Sequence, residues 1–262
     1  MENNKMKTKK NNRSSLICGF HSVCAALKSR RVEFLFVSES NNNKQLRFVK
    51  DLAVKSNIDI QECSTHELSE MVSMKVHQGV VAKVGPLKDI SLENFLDSQY
   101  DPKPPLIVLD RIQDPRNFGS IIRTAAALGA GGIIFSKKNS SQLTPSVAKV
   151  ASGGLESLPI ISINNIVRGI EKLKSSGYWI LAGDPDGEII LGRQELPSPV
   201  ALVIGGEGTG IRRLVRSSCD FTVRISLQTN KISSLNASVA AGILLNEIVS
   251  CRDYLEIDNN KF

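Results

Sequence analysis

From Leu106 onward, short uninterrupted apolar runs alternate with stretches of helical periodicity, and this alternation limits the fold more than any other property of the chain. Leu106-Ile-Val-Leu109 reads as a buried strand, and Phe118, Ile121, Ile122, Ala125 and Leu128 follow at the spacing of one helix face. The strand Gly132–Phe135, a helix near Thr144–Ala151, the strand Pro159–Ile163, a helix over Ile166–Lys174 and the strand Tyr178–Ala182 continue the pattern. The last cycle is the strand Val200–Ile204, a helix from Ile211, the strand Phe221–Ile225 and a long helix over Ser234–Cys251. Strands with no polar interruption, separated by helices, are covered on both faces. An α/β domain built on a parallel sheet is therefore expected over 105–257.

Residues 16–85 read as a smaller α/β unit. It has a helix over His21–Ser29, a strand Glu33–Val37, a helix Lys44–Lys55 and a strand Ile58–Gln61. Ser64 with Glu67 makes a capping box that opens a further helix, and Gly79–Val84 is a final strand. Residues 86–104 hold Pro86, Pro102 and Pro104 around a short helix, Leu92–Leu96, and read as a linker.

Of the net charge of +7, residues 1–13 supply +4 and the rest of the chain +3. The segment 1–15 is expected to be a disordered basic tail, either simply solvated or gripping phosphate. No run approaches the ~20 apolar residues that span a bilayer, and the N-terminus lacks the apolar stretch of a signal peptide. No membrane partner and a cytoplasmic location are expected. The five cysteines form no C-x-x-C pair and do not cluster with the three histidines, so free thiols are expected, with no metal site. His21 and His77 read as packing or hydrogen-bonding residues, and Trp179, in an apolar strand, as core. The last helix, with Leu235, Val239, Ala240, Ile243, Leu244, Leu245, Ile248 and Val249, is apolar on most sides. It must be buried by its own domain or by a partner.

Three polar strings stand where strands give way to helices: Asn117-Phe-Gly-Ser-Ile-Ile-Arg123, Gly205-Gly-Glu-Gly-Thr-Gly210 and Ser234-Leu-Asn236. In an α/β sheet that end of the strands is where ligands bind. Gly206-x-Gly208-x-Gly210 has the form of a dinucleotide-binding loop, but only 52 residues follow Gly210, too few for the rest of such a domain. Its glycines can still bring main-chain groups close to a small ligand. Each polar residue also has a plain structural reading. Asn117 and Ser234 would serve as helix N-caps, Glu207 as a carboxylate at a helix N-terminus, Asn236 as a first-turn polar residue, and Arg123 as a solvated helix side chain.

In this order and spacing the strings resemble the signatures of the SpoU (TrmH-type) RNA ribose 2′-O-methyltransferases. The matching positions are Asn117, Gly119 and Arg123, then Gly205, Glu207, Gly208 and Gly210, then Ser234, Leu235 and Asn236. Gly19-Phe-His-Ser-Val23 and His77-Gln-Gly79 make residues 16–85 similar to the ribosomal-protein-like substrate-binding domain of the rRNA-directed branch. The resemblance implies a deep C-terminal trefoil knot, a homodimer, and S-adenosyl-L-methionine as cofactor. It implies methylation of a guanosine ribose in large-subunit rRNA. A tRNA or another rRNA site, or a non-catalytic RNA-binding or ribosome-assembly factor of the same fold, are the alternatives.

By the same resemblance Arg123, Asn117, Glu207, Ser234 and Asn236 form the catalytic pocket. Gly205, Gly206, Gly208, Ile225, Leu227 and Leu235 hold the cofactor. One departure stands out: the loop Leu227–Ser233 has no glycine where relatives usually carry one, and Asn230 could take the left-handed conformation instead.

Overall fold

The computed structural model describes residues 15–40, 43–74, 76–88, 90–98, 101–138, 140–191, 197–228 and 234–259. The basic tail before Ser15 and Asn230 of the glycine-free loop lie outside the described residues. The chain divides into two compact units, Met1–Lys88 and Asp89–Phe262.

The first unit comprises β1 (Ser15–Cys18), α1 (Phe20–Lys28), β2 (Val32–Ser38), α2 (Lys44–Lys55), β3 (Ile60–Cys63), α3 (Thr65–Val72) and β4 (Val80–Val84). Its strands form one mixed sheet in the order β1-β4-β2-β3, with β4 antiparallel to β1 and β2, and β2 parallel to β3. α2 buries Leu46, Val49 and Ala53, and the Asn43 side chain caps it by accepting from the Leu46 N–H. The Ser64–Glu67 capping box forms in both directions, and these bonds hold the Glu67 carboxyl below its ordinary pKa.

α3 packs Leu68 and Val72 against Cys18, Val81 and Phe36 on one face of this sheet. The alternate residues Ile17, Leu35, Val37 and Ala82 are equally buried on the other face, where α1 rests on β1, β2 and β4 with α2 beside it. His77 is buried, its ring bonded to the Ser69 hydroxyl at 3.2 Å and accepting from the Gly79 N–H at 3.1 Å.

The second unit opens with α4 (Leu92–Leu96), β5 (Leu106–Asp110), α5 (Pro115–Ala127), β6 (Gly132–Ser136), α6 (Pro145–Ala151) and α7 (Gly154–Ser157). β7 (Ile160–Ile163), α8 (Ile166–Ser175), β8 (Trp179–Gly183), β9 (Ile189–Ile190), β10 (Val200–Gly205), α9 (Arg213–Arg216), β11 (Phe221–Arg224) and α10 (Ala237–Asn259) follow. Among the described residues its seven strands are all parallel, in the order β7-β6-β5-β10-β8-β11-β9. Leu106 and Val108 of β5 and Ala201 and Val203 of β10 pack beneath α4 and α8. Their neighbours Ile107, Leu109, Leu202 and Ile204 are buried on the opposite face, so the sheet is covered on both sides.

The helix expected from Ile211 is a single turn at Arg213–Arg216, and the last helix starts at Ala237 rather than Ser234. Trp179 is not core: it is 44% exposed and lies with its ring 5.8 Å from that of Phe221. On α10, Ala241, Leu244, Leu245 and Ile248 are buried, while Val239 and Ile243, one turn apart, are 49% and 38% exposed. Among the described residues no helix is long and apolar enough to cross a membrane. Burial pushes the Cys219 thiol up to about 12.

The strand order positions the site. From β5 the chain builds β6 and β7 to one side, whereas β10 and β8 lie on the other. The order therefore reverses between β5 and β10, and a crevice opens there at the strands' carboxyl ends. The register pairs Asp110, the last residue of β5, with Gly205, the last of β10.

Candidate active site

Both strands end in sharp turns that face each other. Past β5, Arg111 adopts a left-handed conformation with φ 63°. Its carbonyl oxygen would lie 2.4 Å from a Cβ on Gly206, so only glycine fits there. Past β10 the string Gly206–Gly210 folds back on itself, with the Gly210 N–H donating to the Gly206 carbonyl at 2.9 Å and the Thr209 N–H to that of Glu207 at 2.9 Å. Glu207 is thus in a tight turn rather than at a helix N-terminus; α9 starts only at Arg213, with no side-chain cap.

The far end of this turn is tied to β5. The Asp110 side chain is fully buried; one of its oxygens accepts from Arg212 Nη2 at 2.6 Å and Nε at 2.8 Å, the other from the Arg212 backbone N–H at 2.9 Å. These charge-assisted bonds fix where the glycine turn ends. Sequence reasoning named neither residue. An aspartate closing a wholly apolar strand was the only signal of a buried charge in need of a partner. Replacing Arg212 by Met leaves that carboxylate without its counter-ion and is expected to destabilise the fold by about 3 kcal/mol, read from the urea midpoint.

α5 is capped by Asp114, which accepts from the Arg116 N–H at 2.8 Å, with Pro115 as first helical residue. Asn117 is therefore not the cap; it lies inside the first turn, buried, and its side chain reaches across to the glycine turn. Asn117 Nδ2 donates to Glu207 Oε1 at 2.6 Å. Asn236 Nδ2 donates to the same Oε1 at 2.6 Å and to Asn117 Oδ1 at 3.0 Å. Asn236, not Ser234, caps α10: its Oδ1 accepts from the Ser238 N–H at 3.0 Å, the Ser238 hydroxyl at 2.7 Å and the Val239 N–H at 3.3 Å. With that oxygen occupied by donors, the amide nitrogen must face the carboxylate. One residue from each of the three strings meets in this network.

Glu207 Oε2 makes no hydrogen bond to a described residue, so the carboxylate is anchored by one oxygen and presents the other. It borders a cavity of about 370 Å³, lined also by Arg111, Ile112, Gln113, Asp114, Asn117 and Thr209, within the size range of small-ligand sites.

Arg123 and Ser234 lie outside the network. Arg123 is about a third of a turn round α5 and about 9 Å along it from Asn117. It is exposed, and no described side chain pairs with its guanidinium. Ser234 is exposed just before the cap.

The residues expected to hold a cofactor line the same end of the sheet. Gly205 closes β10, Gly206 is buried, and Gly208 is exposed with φ 76°. Ile225 and Leu235 are half-buried on either side of the glycine-free loop, and Leu227 is exposed. No backbone hydrogen bond joins the N–H groups of Ile225, Leu227 and Leu235 to another described residue. Such main-chain donors among apolar side chains fit a cofactor held by backbone contacts. Among the described residues no three His, Cys, Asp or Glu side chains are grouped to hold a metal ion.

A family model described as the SpoU rRNA Methylase family matches residues 104–246, and one described as RNA 2′-O ribose methyltransferase substrate binding matches residues 16–89. The 23S rRNA (guanosine-2′-O-)-methyltransferase RlmB of Pseudomonas syringae pv. tomato is 38% identical over 241 residues, covering 90% of this chain and 95% of that protein. The putative TrmH family tRNA/rRNA methyltransferase YacO of Bacillus subtilis is 37% identical over 240 residues, covering 90% and 96%. Among solved structures, the SpoU methyltransferase AviRb from Streptomyces viridochromogenes in complex with AdoMet superposes with a TM-score of 0.77 at 25% identity, over 91% of this chain and 90% of that one. With both units matched and all three strings brought to one end of the parallel sheet, the chain belongs to the SpoU rRNA methylase family.

Proposed function

We propose that the protein transfers a methyl group from S-adenosyl-L-methionine to the 2′-hydroxyl of a guanosine in 23S-type rRNA, in the cytoplasm. The observation that carries this reading is the Asn117–Glu207–Asn236 network at the carboxyl ends of β5 and β10. The name of the Pseudomonas relative supplies the substrate class.

S-adenosyl-L-methionine supplies a methyl already activated as a sulfonium. A ribose hydroxyl is a weak nucleophile near neutral pH, so the protein must orient it and ease the departure of its proton. Asn117 and Asn236 fix Glu207 Oε1, and the free Oε2 accepts a hydrogen bond from the ribose in the adjoining cavity. Arg123 binds the phosphate beside the target ribose and polarises the hydroxyl. A guanidinium does not surrender its proton in a protein, so binding suits it better than proton abstraction. Ser234 adds a hydroxyl at the mouth of the site. Main-chain groups of Gly205, Gly206, Gly208, Ile225, Leu227 and Leu235 hold the cofactor.

The proposal includes a homodimer and a trefoil knot. The exposed Val239–Ile243 face of α10 supports the dimer. Gly242, beside Ile243, packs on Thr124, beside Arg123, so a seam on this face would run next to Arg123. The knot rests on the likeness to the SpoU family.

The test is transfer of labelled methyl to unmodified 23S rRNA, with tRNA in parallel. Arg123→Lys is expected to cut turnover on the order of 10²-fold, with cofactor affinity unchanged. Equal losses of turnover and cofactor affinity would reject the role given to Arg123. Transfer to tRNA alone would reject the substrate.

A further inference from the structure

The first unit carries an exposed row of aromatic rings that the methyl-transfer site does not use. Phe20 and His21 open α1 with their rings edge-to-face at 5.1 Å, and the Phe48 ring of α2 lies 6.1 Å from that of Phe20. Phe48 is 49% exposed, His21 is exposed and Phe20 half-buried. Both helices bury other residues against the sheet, so these rings are not needed for the core. In a chain only 5% Phe, Trp and Tyr, the exposed Phe48 and the half-buried Phe20 beside the exposed His21 ring call for another use.

The row is held in place. The Gly19 N–H donates to the Val80 carbonyl at 3.3 Å, and the Phe20 N–H to Gln78 Oε1 at 2.8 Å. Gln78 and Gly79 are left-handed, at φ 57° and 75°, so a tight turn fixes the start of α1. The two strings Gly19-Phe-His and His77-Gln-Gly79 thus form one local structure.

Charge is segregated across the sheet. α2 carries Lys44, Arg47, Lys50 and Lys55 against Asp51, and α1 ends in Lys28. Lys50 pairs with Glu62 of β3 at 2.6 Å, which still leaves α2 basic. α3, on the opposite face, carries Glu67 and Glu70 and no lysine or arginine. Exposed rings beside basic side chains suit unpaired nucleotides, whose bases stack on aromatic faces while cations follow the phosphates.

We infer that Phe20, His21 and Phe48 form a stacking platform for unpaired bases of the RNA substrate, with the basic residues of α2 along its backbone. This rests on the proposed rRNA substrate and says which face of the first unit meets it.

The test uses the full chain, a fluorescently labelled transcript of unmodified large-subunit rRNA read by anisotropy, and methyl-transfer kinetics on the same RNA. Phe48→Ala and His21→Ala are each expected to weaken RNA binding and raise KM for RNA on the order of tenfold. kcat at saturating RNA and cofactor affinity stay unchanged. Phe48→Trp keeps a stacking face and binds like the parent. His66→Ala, which removes an exposed ring from α3, leaves binding as it was. Parental RNA affinity in both alanine variants would overturn the inference, as would a changed oligomeric mass with RNA affinity intact, which would assign the row to protein contact. Anisotropy reads RNA contact even if the parent transfers no methyl, so this inference and the proposed reaction fail separately.

Discussion

Replacing Glu207 by Ala is expected to lower kcat for methyl transfer on the order of 10²- to 10³-fold while leaving cofactor affinity nearly unchanged. Both Asn117 Nδ2 and Asn236 Nδ2 lose the oxygen they converge on at 2.6 Å. Asn117 is 6% exposed, so its amide is left without that acceptor away from water, a cost of about 1–3 kcal/mol. Glu207→Gln separates scaffolding from charge. A glutamine oxygen can still take both amide donors, so stability should return, but the other position becomes a donor and the rate should not. Single-turnover transfer, cofactor titration calorimetry and urea unfolding on the two variants read these effects independently. A Glu207→Gln enzyme with parental rate would mean that the carboxylate serves only as scaffolding.

Gly205→Ala is expected to weaken S-adenosyl-L-methionine binding on the order of 10²-fold. A Cβ there would lie 2.3 Å from both Gly210 C and Ile211 N, main-chain atoms that cannot swing aside as a side-chain tip can. Carbon contacts relax near about 3.5 Å, so the turn must shift by about 1 Å. A displacement of that size at a binding loop costs on the order of 10²-fold. Gly208→Ala, in the same cofactor-holding turn, is the milder comparison. A Cβ at Gly208 meets nothing within 4 Å, and the substitution pays only for the left-handed backbone, about 1–2 kcal/mol of local strain. Calorimetric titration of the cofactor into both variants should rank Gly205→Ala well below Gly208→Ala. The reverse order would place the cofactor away from the end of β10.

The parts of the fold that were legible in the sequence are those set by local periodicity. α2 and α4 run over the residues their apolar spacing marks, and the Ser64–Glu67 box forms as its residues indicate. β1 and β9, four and two residues long, give too little pattern to read. Two cap assignments failed because several polar residues competed for one helix start. Asp114 followed by Pro115 outranks Asn117, and Asn236 outranks Ser234. Those displacements free Asn117 from capping and let it reach Glu207, 90 residues away in the chain. The three strings located the site; the bonds joining them are long-range and have no local signature. Asp110–Arg212 is the same case, a pair 102 residues apart. Trp179 was misread because an apolar strand run does not tell an inward side chain from an outward one when both faces are covered elsewhere.

The central claim is that this chain methylates a guanosine ribose of 23S-type rRNA through a site organised by Asn117, Glu207 and Asn236. The measurement that tests it most directly is digestion of unmodified 23S rRNA, labelled by the protein from S-adenosyl-L-methionine, to nucleosides that are then identified by mass spectrometry. The label should appear as 2′-O-methylguanosine, and Glu207→Ala should slow its appearance on the order of 10²- to 10³-fold. Label on a base or on another nucleoside, or none at all from a protein that binds both cofactor and RNA, would contradict the account.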